Sequence, residues 1–172
     1  MELLLPRQVV DLLKLELRGR RNEIGGVLVG EHVSGETFRI VELSVQRTGG
    51  SSVHFVRDPD HSREFLADFF ARTGNDYRRY NYIGEWHSHP SFEPVPSGSD
   101  IRAMYDIVED HDVGVNFAVL IVARLLLRSS LQMSATLFRP GQPPELVTVV
   151  IDPGMSKTVL IWLSRIRDYF KT

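Results

Sequence analysis

Cysteine is absent from this 172-residue chain. That absence excludes disulfides, thiolate-held metals and a cysteine nucleophile, so the cysteine peptidases drop out as a class. It also fits a reducing cytoplasm. Charge of one sign is scarce: the formal net charge is −2 and no long basic run occurs, so no nucleic-acid partner is expected. Long hydrophobic runs are missing too. The longest apolar stretch, Val113 to Leu127, is broken by Asn116 and Arg124. It is too short to span a bilayer and reads as a buried strand. Met1 to Leu5 are apolar apart from Glu2, without the basic segment and small-residue cleavage site of a signal peptide. The expectation is a cytoplasmic protein with no membrane partner.

What is present suits one globular domain spanning 1–172. Hydrophobic residues make up 42% of the chain and charged residues 24%, enough to build a core at this length without staples. No internal repeat or linker interrupts it. Pro6 opens a helical pattern in which Leu5, Val9, Leu12, Leu13 and Leu17 share a face, ended by Gly19. Glu23 to Gly30 reads as a strand containing glycines, Thr37 to Val45 as a second strand and Ser52 to Val56 as a third. Asp58-Pro59 is a helix start, with Phe65, Phe69 and Thr73 on one face and Gly74 at the end. Tyr80 to Pro90 reads as a strand running into an irregular Pro90 to Gly98 segment, and Ser99 as the cap of a helix from Asp100. Three further strands are expected at Asn116 to Leu127, Leu131 to Phe138 and Leu146 to Ile151. Val159, Leu163, Ile166 and Phe170 predict a closing helix at about 156–171. The mixture of helix and strand indicates an α/β or α+β class.

The chemically informative stretch is His87-Ser88-His89-Pro90, followed after six residues by Ser97-Gly98-Ser99-Asp100. Residues two apart on a strand face the same way, so His87 and His89 can present two imidazoles to one ion. Asp100, in the first turn of the following helix, can return a carboxylate to them. Two histidines and a carboxylate with an open fourth position suit a catalytic zinc. Trp86 reads as core or as a wall of the site. His32, His54, His61 and His111 lack partner spacing and read as surface residues. Tyr77-Arg78-Arg79-Tyr80 reads as a solvated turn.

This pattern resembles the JAMM (JAB/MPN) zinc metalloproteases. That family places a glutamate on an early strand, then His-x-His-Pro, six residues, Ser, two residues and Asp. Here the matching positions are Glu23, His87, His89, Pro90, Ser97 and Asp100, and the likeness runs from about Met1 to Phe138. The resemblance implies a mixed, mostly antiparallel curved β-sheet flanked by helices, the cytidine-deaminase-like JAB/MPN fold. It implies one Zn2+ per chain held by His87, His89 and Asp100, Glu23 as general base and Ser97 as oxyanion donor. It further implies cleavage of isopeptide or peptide bonds after the tail of ubiquitin or a ubiquitin-like protein. In bacterial stand-alone members that means deconjugation or precursor maturation, including in anti-phage conjugation systems, with the conjugating enzymes as further partners. Two alternatives stay open: a metal-dependent peptidase or amidase on another substrate, and a non-catalytic scaffold module.

Overall fold

The computed structural model describes residues 1–126 and 130–152. The elements run β1 (Glu2–Pro6), α1 (Arg7–Leu17), β2 (Gly25–Ser34), β3 (Thr37–Leu43), α2 (Pro59–Arg72), β4 (Tyr80–Ser88), α3 (Gly98–Glu109), β5 (Ala118–Leu126), β6 (Ser130–Phe138), β7 (Glu145–Leu146) and β8 (Thr148–Asp152). The helix expected at about 156–171 lies outside the described residues.

The strands form one sheet in the order β7-β6-β5-β4-β2-β3-β1-β8. β4–β5, β1–β3 and β1–β8 are parallel, and the remaining neighbours are antiparallel. The sheet curls until β8 comes back towards β6. The expected mixed, curved sheet flanked by helices is therefore what the chain forms.

Period-two alternation decides the layers. On β5, Val119, Ile121 and Ala123 join the core under α1, whereas Ala118, Leu120 and Val122 pack against α3. Helix α1 buries Val9, Val10, Leu13 and Leu17 in the first of these cores. Helix α2 covers Val29, Val41 and Tyr80 with Phe69. Both faces of the central strands are thus covered, which is why β5 reads as a continuous apolar run. Gly84 marks the closest approach within the sheet. It sits at φ 150°, and a Cβ there would lie 1.9 Å from the Val119 carbonyl oxygen, so β4 and β5 pair only around glycine.

Three expectations are corrected. Leu5 belongs to β1, fully buried, rather than to the α1 face. A residue before proline is held extended, and Pro6 itself, at ψ 143°, caps the helix from outside. Ser52 to Val56 is a loop with a single Gly50–Phe55 bridge and not a strand. Its Val53 is 65% exposed, so the segment has no face to bury. Helix α3 begins at Gly98, capped by Ser97 rather than Ser99. Elsewhere the signals hold: the Asp58 carboxylate accepts from the N–H groups of Asp60 and His61 at the start of α2.

Candidate active site

The site forms where β4 ends. β4 and β5 run parallel, and α3 lies in the crossover between them. In sheets of this kind ligands gather at the carboxyl ends of parallel strands. His87 lies near the end of β4 and His89 just past it, and the His89 N–H still donates to the Ala123 carbonyl at 2.9 Å. The ladder therefore fixes both residues. Trp86 and Ser88 point to the other face. Trp86 is 1% exposed and its indole N–H donates to the Ser44 carbonyl at 2.8 Å, so it is core.

His87 Nε2 and His89 Nε2 lie 3.1 Å apart. Asp100 Oδ2 is 3.5 Å from the first and 3.9 Å from the second. Ligand atoms around a tetrahedral zinc with bonds of about 2.0–2.1 Å are separated by about 3.3 Å, so this donor set fits such an ion. The Nδ1 of His89 stands 2.8 Å from the Glu93 carbonyl, which can only accept. That places the ring proton on Nδ1 and leaves the Nε2 lone pair for a ligand.

Asp100 is delivered by the start of α3. Ser97 and Asp100 make a reciprocal capping box: the Asp100 N–H donates to Ser97 Oγ at 3.2 Å, and the Ser97 N–H donates to Asp100 Oδ2 at 2.6 Å. One local helix-start device thus fixes the oxygen that faces the histidines. Burial works against ionising Asp100, but the hydrogen bond and charge of His87, together with the Ser97 contacts, hold its carboxyl well below the usual range. Ser97 Oγ also lies 2.8 Å from Ser99 Oγ.

Glu23 enters from the chain just before β2. It is 4% exposed, and its carboxylate lies within 4.8 Å of the ligand nitrogens of both histidines. Burial raises its pKa above the ordinary value, opposed by the neighbouring His87 and His89. A carboxylate so placed can take and return a proton. Its backbone is pinned from two sides. Ser88 Oγ accepts from the Ile24 N–H at 3.0 Å, and the Glu23 N–H donates to the Ser51 carbonyl at 2.7 Å. Gly50 lies so close that a Cβ there would meet the Glu23 carbonyl oxygen at 1.9 Å. The loop providing Ser51 and Gly50 is itself held by Gln46, buried at its base. Gln46 donates to the Thr48 and Val56 carbonyls and accepts from the Asp58 N–H at 2.7–2.9 Å.

All five expected site residues, Glu23, His87, His89, Ser97 and Asp100, therefore gather at one place. His87 and Asp100 border a small cleft. Glu23, His89, Ser97 and Asp100 border a larger adjoining one of about 350 Å³ that also includes His54 and Phe92. His54 is exposed but stands at the rim of this cleft, whereas His32 and His111 lie exposed elsewhere. Gln46, Gly50 and the Ser88 hydroxyl carry no local signal in the sequence, because apart from the Thr48 carbonyl beside Gln46 their partners are 10 to 64 residues away. Gly25 and Gly26 make room for the protein's own chain: a Cβ would strike Trp86 and Ser44 respectively.

A curled mixed sheet with a His-x-His strand end, a helix-borne aspartate and a buried glutamate defines a JAB-type hydrolase. The family described as prokaryotic homologs of the JAB domain matches residues 7–138, and the chain belongs to it. It is 31% identical over 131 residues to a protein of Enterobacter hormaechei subsp. hoffmannii named CD-NTase/cGAS isopeptidase, across 74% of this chain and 69% of that one. In fold it is similar to a Desulfitobacterium hafniense protein known from a solution structure, with a TM-score of 0.67 and 16% identity over 90% of this chain and 95% of that one. No helix among the described residues is long and apolar enough to cross a membrane.

Proposed function

We propose that the protein is a zinc-dependent isopeptidase or peptidase that cuts after the C-terminal tail of a ubiquitin-like protein. The observation that carries this reading is the convergence of His87, His89 and Asp100 within 3.1–3.9 Å of one another, with Glu23 beside them. His87, His89 and Asp100 would hold the metal. Zinc in such a site supplies Lewis acidity, which polarises an amide carbonyl and acidifies water.

The chain's own residues supply the rest. The Glu23 carboxylate accepts a proton from the attacking water and returns it to the leaving nitrogen, so water adds across the amide and a carboxylate and an amine depart. The Ser97 hydroxyl donates a hydrogen bond to the carbonyl oxygen as that atom gains negative charge. Such a donor contributes about 2.7–4 kcal/mol in the best-measured oxyanion hole. The Glu93 carbonyl keeps His89 in the tautomer that binds metal.

The substrate class is supported by the relative whose name is an isopeptidase of CD-NTase/cGAS. By that likeness a CD-NTase-type enzyme is the modified partner. The ubiquitin-like protein, and a setting in cytoplasmic anti-phage defence, are what the resemblance of the Glu23, His87, His89, Ser97 and Asp100 pattern to the JAMM family adds. Zinc per chain, measured by elemental analysis in wild type and His87→Ala, tests the metal site: near one and near none are expected. Wild type loaded with zinc should cleave ubiquitin-like fusions or conjugates, and Glu23→Gln should retain zinc without cleaving. Metal-loaded wild type that cleaves none of them would end the proposal.

A further inference from the structure

Glu85 has the same parity on β4 as His87, so it lies on the same face about 6.6 Å back along the strand. Its side chain is only 15% exposed, and a buried carboxylate needs partners. Arg57, from the loop before α2, donates to it through Nη1, and the Tyr82 hydroxyl donates at 3.4 Å. The arginine is not consumed by this pairing. Its side chain is 36% exposed, and neither Nε nor Nη2 has a hydrogen-bond partner among the described residues.

Arg57 borders two clefts. A cleft of about 180 Å³ is bordered by His87, Asp100, Glu85 and Arg57. A second, of about 420 Å³, shares Arg57, Pro59 and Ile107 with the first and continues between α2 and α3 past Phe70 and Tyr82. Together they form a trench from His87 and Asp100 to Phe70 and Tyr82, with Arg57 lining both parts. A guanidinium whose only task was to neutralise Glu85 would favour a bidentate fork. Here Nη1 alone bonds Glu85, and Arg57 lines the trench. The ion pair as a whole is neutral, so its spare N–H groups suit a neutral acceptor better than a carboxylate. An extended chain advances about 3.3 Å per residue, which brings a main-chain carbonyl two or three residues from the cut bond within reach.

We propose that Arg57, oriented by Glu85, is a substrate-binding residue that donates to a main-chain carbonyl two or three residues from the scissile amide. The proposal rests on the amide-hydrolase reading above. The chemical class it selects is an extended peptide segment lying in the trench between α2 and α3.

The test uses zinc-loaded full chain and a synthetic extended peptide ending in Gly-Gly joined to aminocoumarin. A companion series has each backbone carbonyl in turn replaced by methylene. Arg57→Met should raise KM or lower kcat/KM about 10- to 100-fold, the worth of one charge-assisted hydrogen bond, with zinc content unchanged. Wild type should lose a similar factor with one member of the series, and Arg57→Met should lose nothing further with that member. Arg57→Met combined with Glu85→Gln removes the unpaired buried charge and should give the same kinetic defect in a stably folded protein. Wild-type kinetics in both variants, or additive losses across the whole series, would overturn the proposal and leave the hydrolase reading standing. No turnover by zinc-loaded wild type on the peptide or on protein fusions would sink both.

Discussion

Replacing Gly50 with alanine should disable the base without disturbing the metal. The added Cβ would stand 1.9 Å from the Glu23 carbonyl oxygen, whereas Cβ contacts below 3.0 Å essentially never occur, so 3.0 − 1.9 gives a required shift of at least 1.1 Å. Neither neighbour yields easily. The loop is clamped by Gln46, and the Glu23 segment by Ser88 Oγ through the Ile24 N–H. Either movement opens the 2.7 Å bond from the Glu23 N–H to the Ser51 carbonyl; a shift of Glu23 carries its carboxylate from the histidines, and a shift of the loop removes the brace that holds it there. A misplacement of about 1 Å costs roughly 100-fold in rate, or about 2.7 kcal/mol of barrier. His87, His89 and Asp100 come from β4 and α3, so zinc content should stay at the wild-type level. Steady-state cleavage of a ubiquitin-like fusion, with elemental analysis and thermal unfolding on the same samples, reads all three quantities. A folded, zinc-replete Gly50→Ala protein that cleaves at the wild-type rate would refute the idea that this contact positions Glu23.

Ser88→Ala leaves the buried Ile24 N–H without its acceptor, so stability should fall by about 1–3 kcal/mol, read as a urea midpoint with unchanged slope. An unchanged midpoint would show that the hydroxyl does not hold this strand pair. Gly98 opens α3 with nothing nearer than Arg102 at 3.7 Å to meet a Cβ, so Gly98→Ala should gain about 0.4–1 kcal/mol in the same assay. A loss would mean that the helix start is more crowded than it looks. Burial raises the pKa of Glu42 above its ordinary 4.5 in spite of Arg72, so the folded state holds a proton that the unfolded chain has already released. Stability linked to Glu42 is therefore greatest below about pH 4.5 and declines as pH rises through the folded value. Glu42→Gln should flatten that decline in a midpoint-against-pH series, and parallel curves for the two proteins would contradict it.

The pairing of His87 with His89 was legible because its geometry is short-range: strand parity aims the two side chains together. The amphipathic face of α1, the Asp58 cap of α2 and the buried run of β5 were legible for the same reason: periodicity and capping act over one or two turns. Misreadings came where a longer-range partner decided the outcome. Leu3 and Leu5 become a strand because β3 and β8 accept them as a neighbour. Ser52 to Val56 fails to become one because no strand offers it a ladder. Ser99 was read as the cap of α3, but Ser97 takes that place through its reciprocal bonds with Asp100, whose carboxylate docks beside the histidines.

By itself, then, the sequence determined the ligand types, their spacing along the chain and the family pattern that adds Glu23. Tertiary structure alone decided how these pieces meet. It brings Glu23 to the histidines across some 64 residues through Ser88, braces it with Gly50 and Gln46, and places the Arg57–Glu85 pair on a cleft shared with His87 and Asp100. The physical reason is that dihedral preferences and side-chain parity propagate only over a few residues. Antiparallel pairing of β2 with β4, by contrast, depends on burial and steric fit summed over the whole sheet.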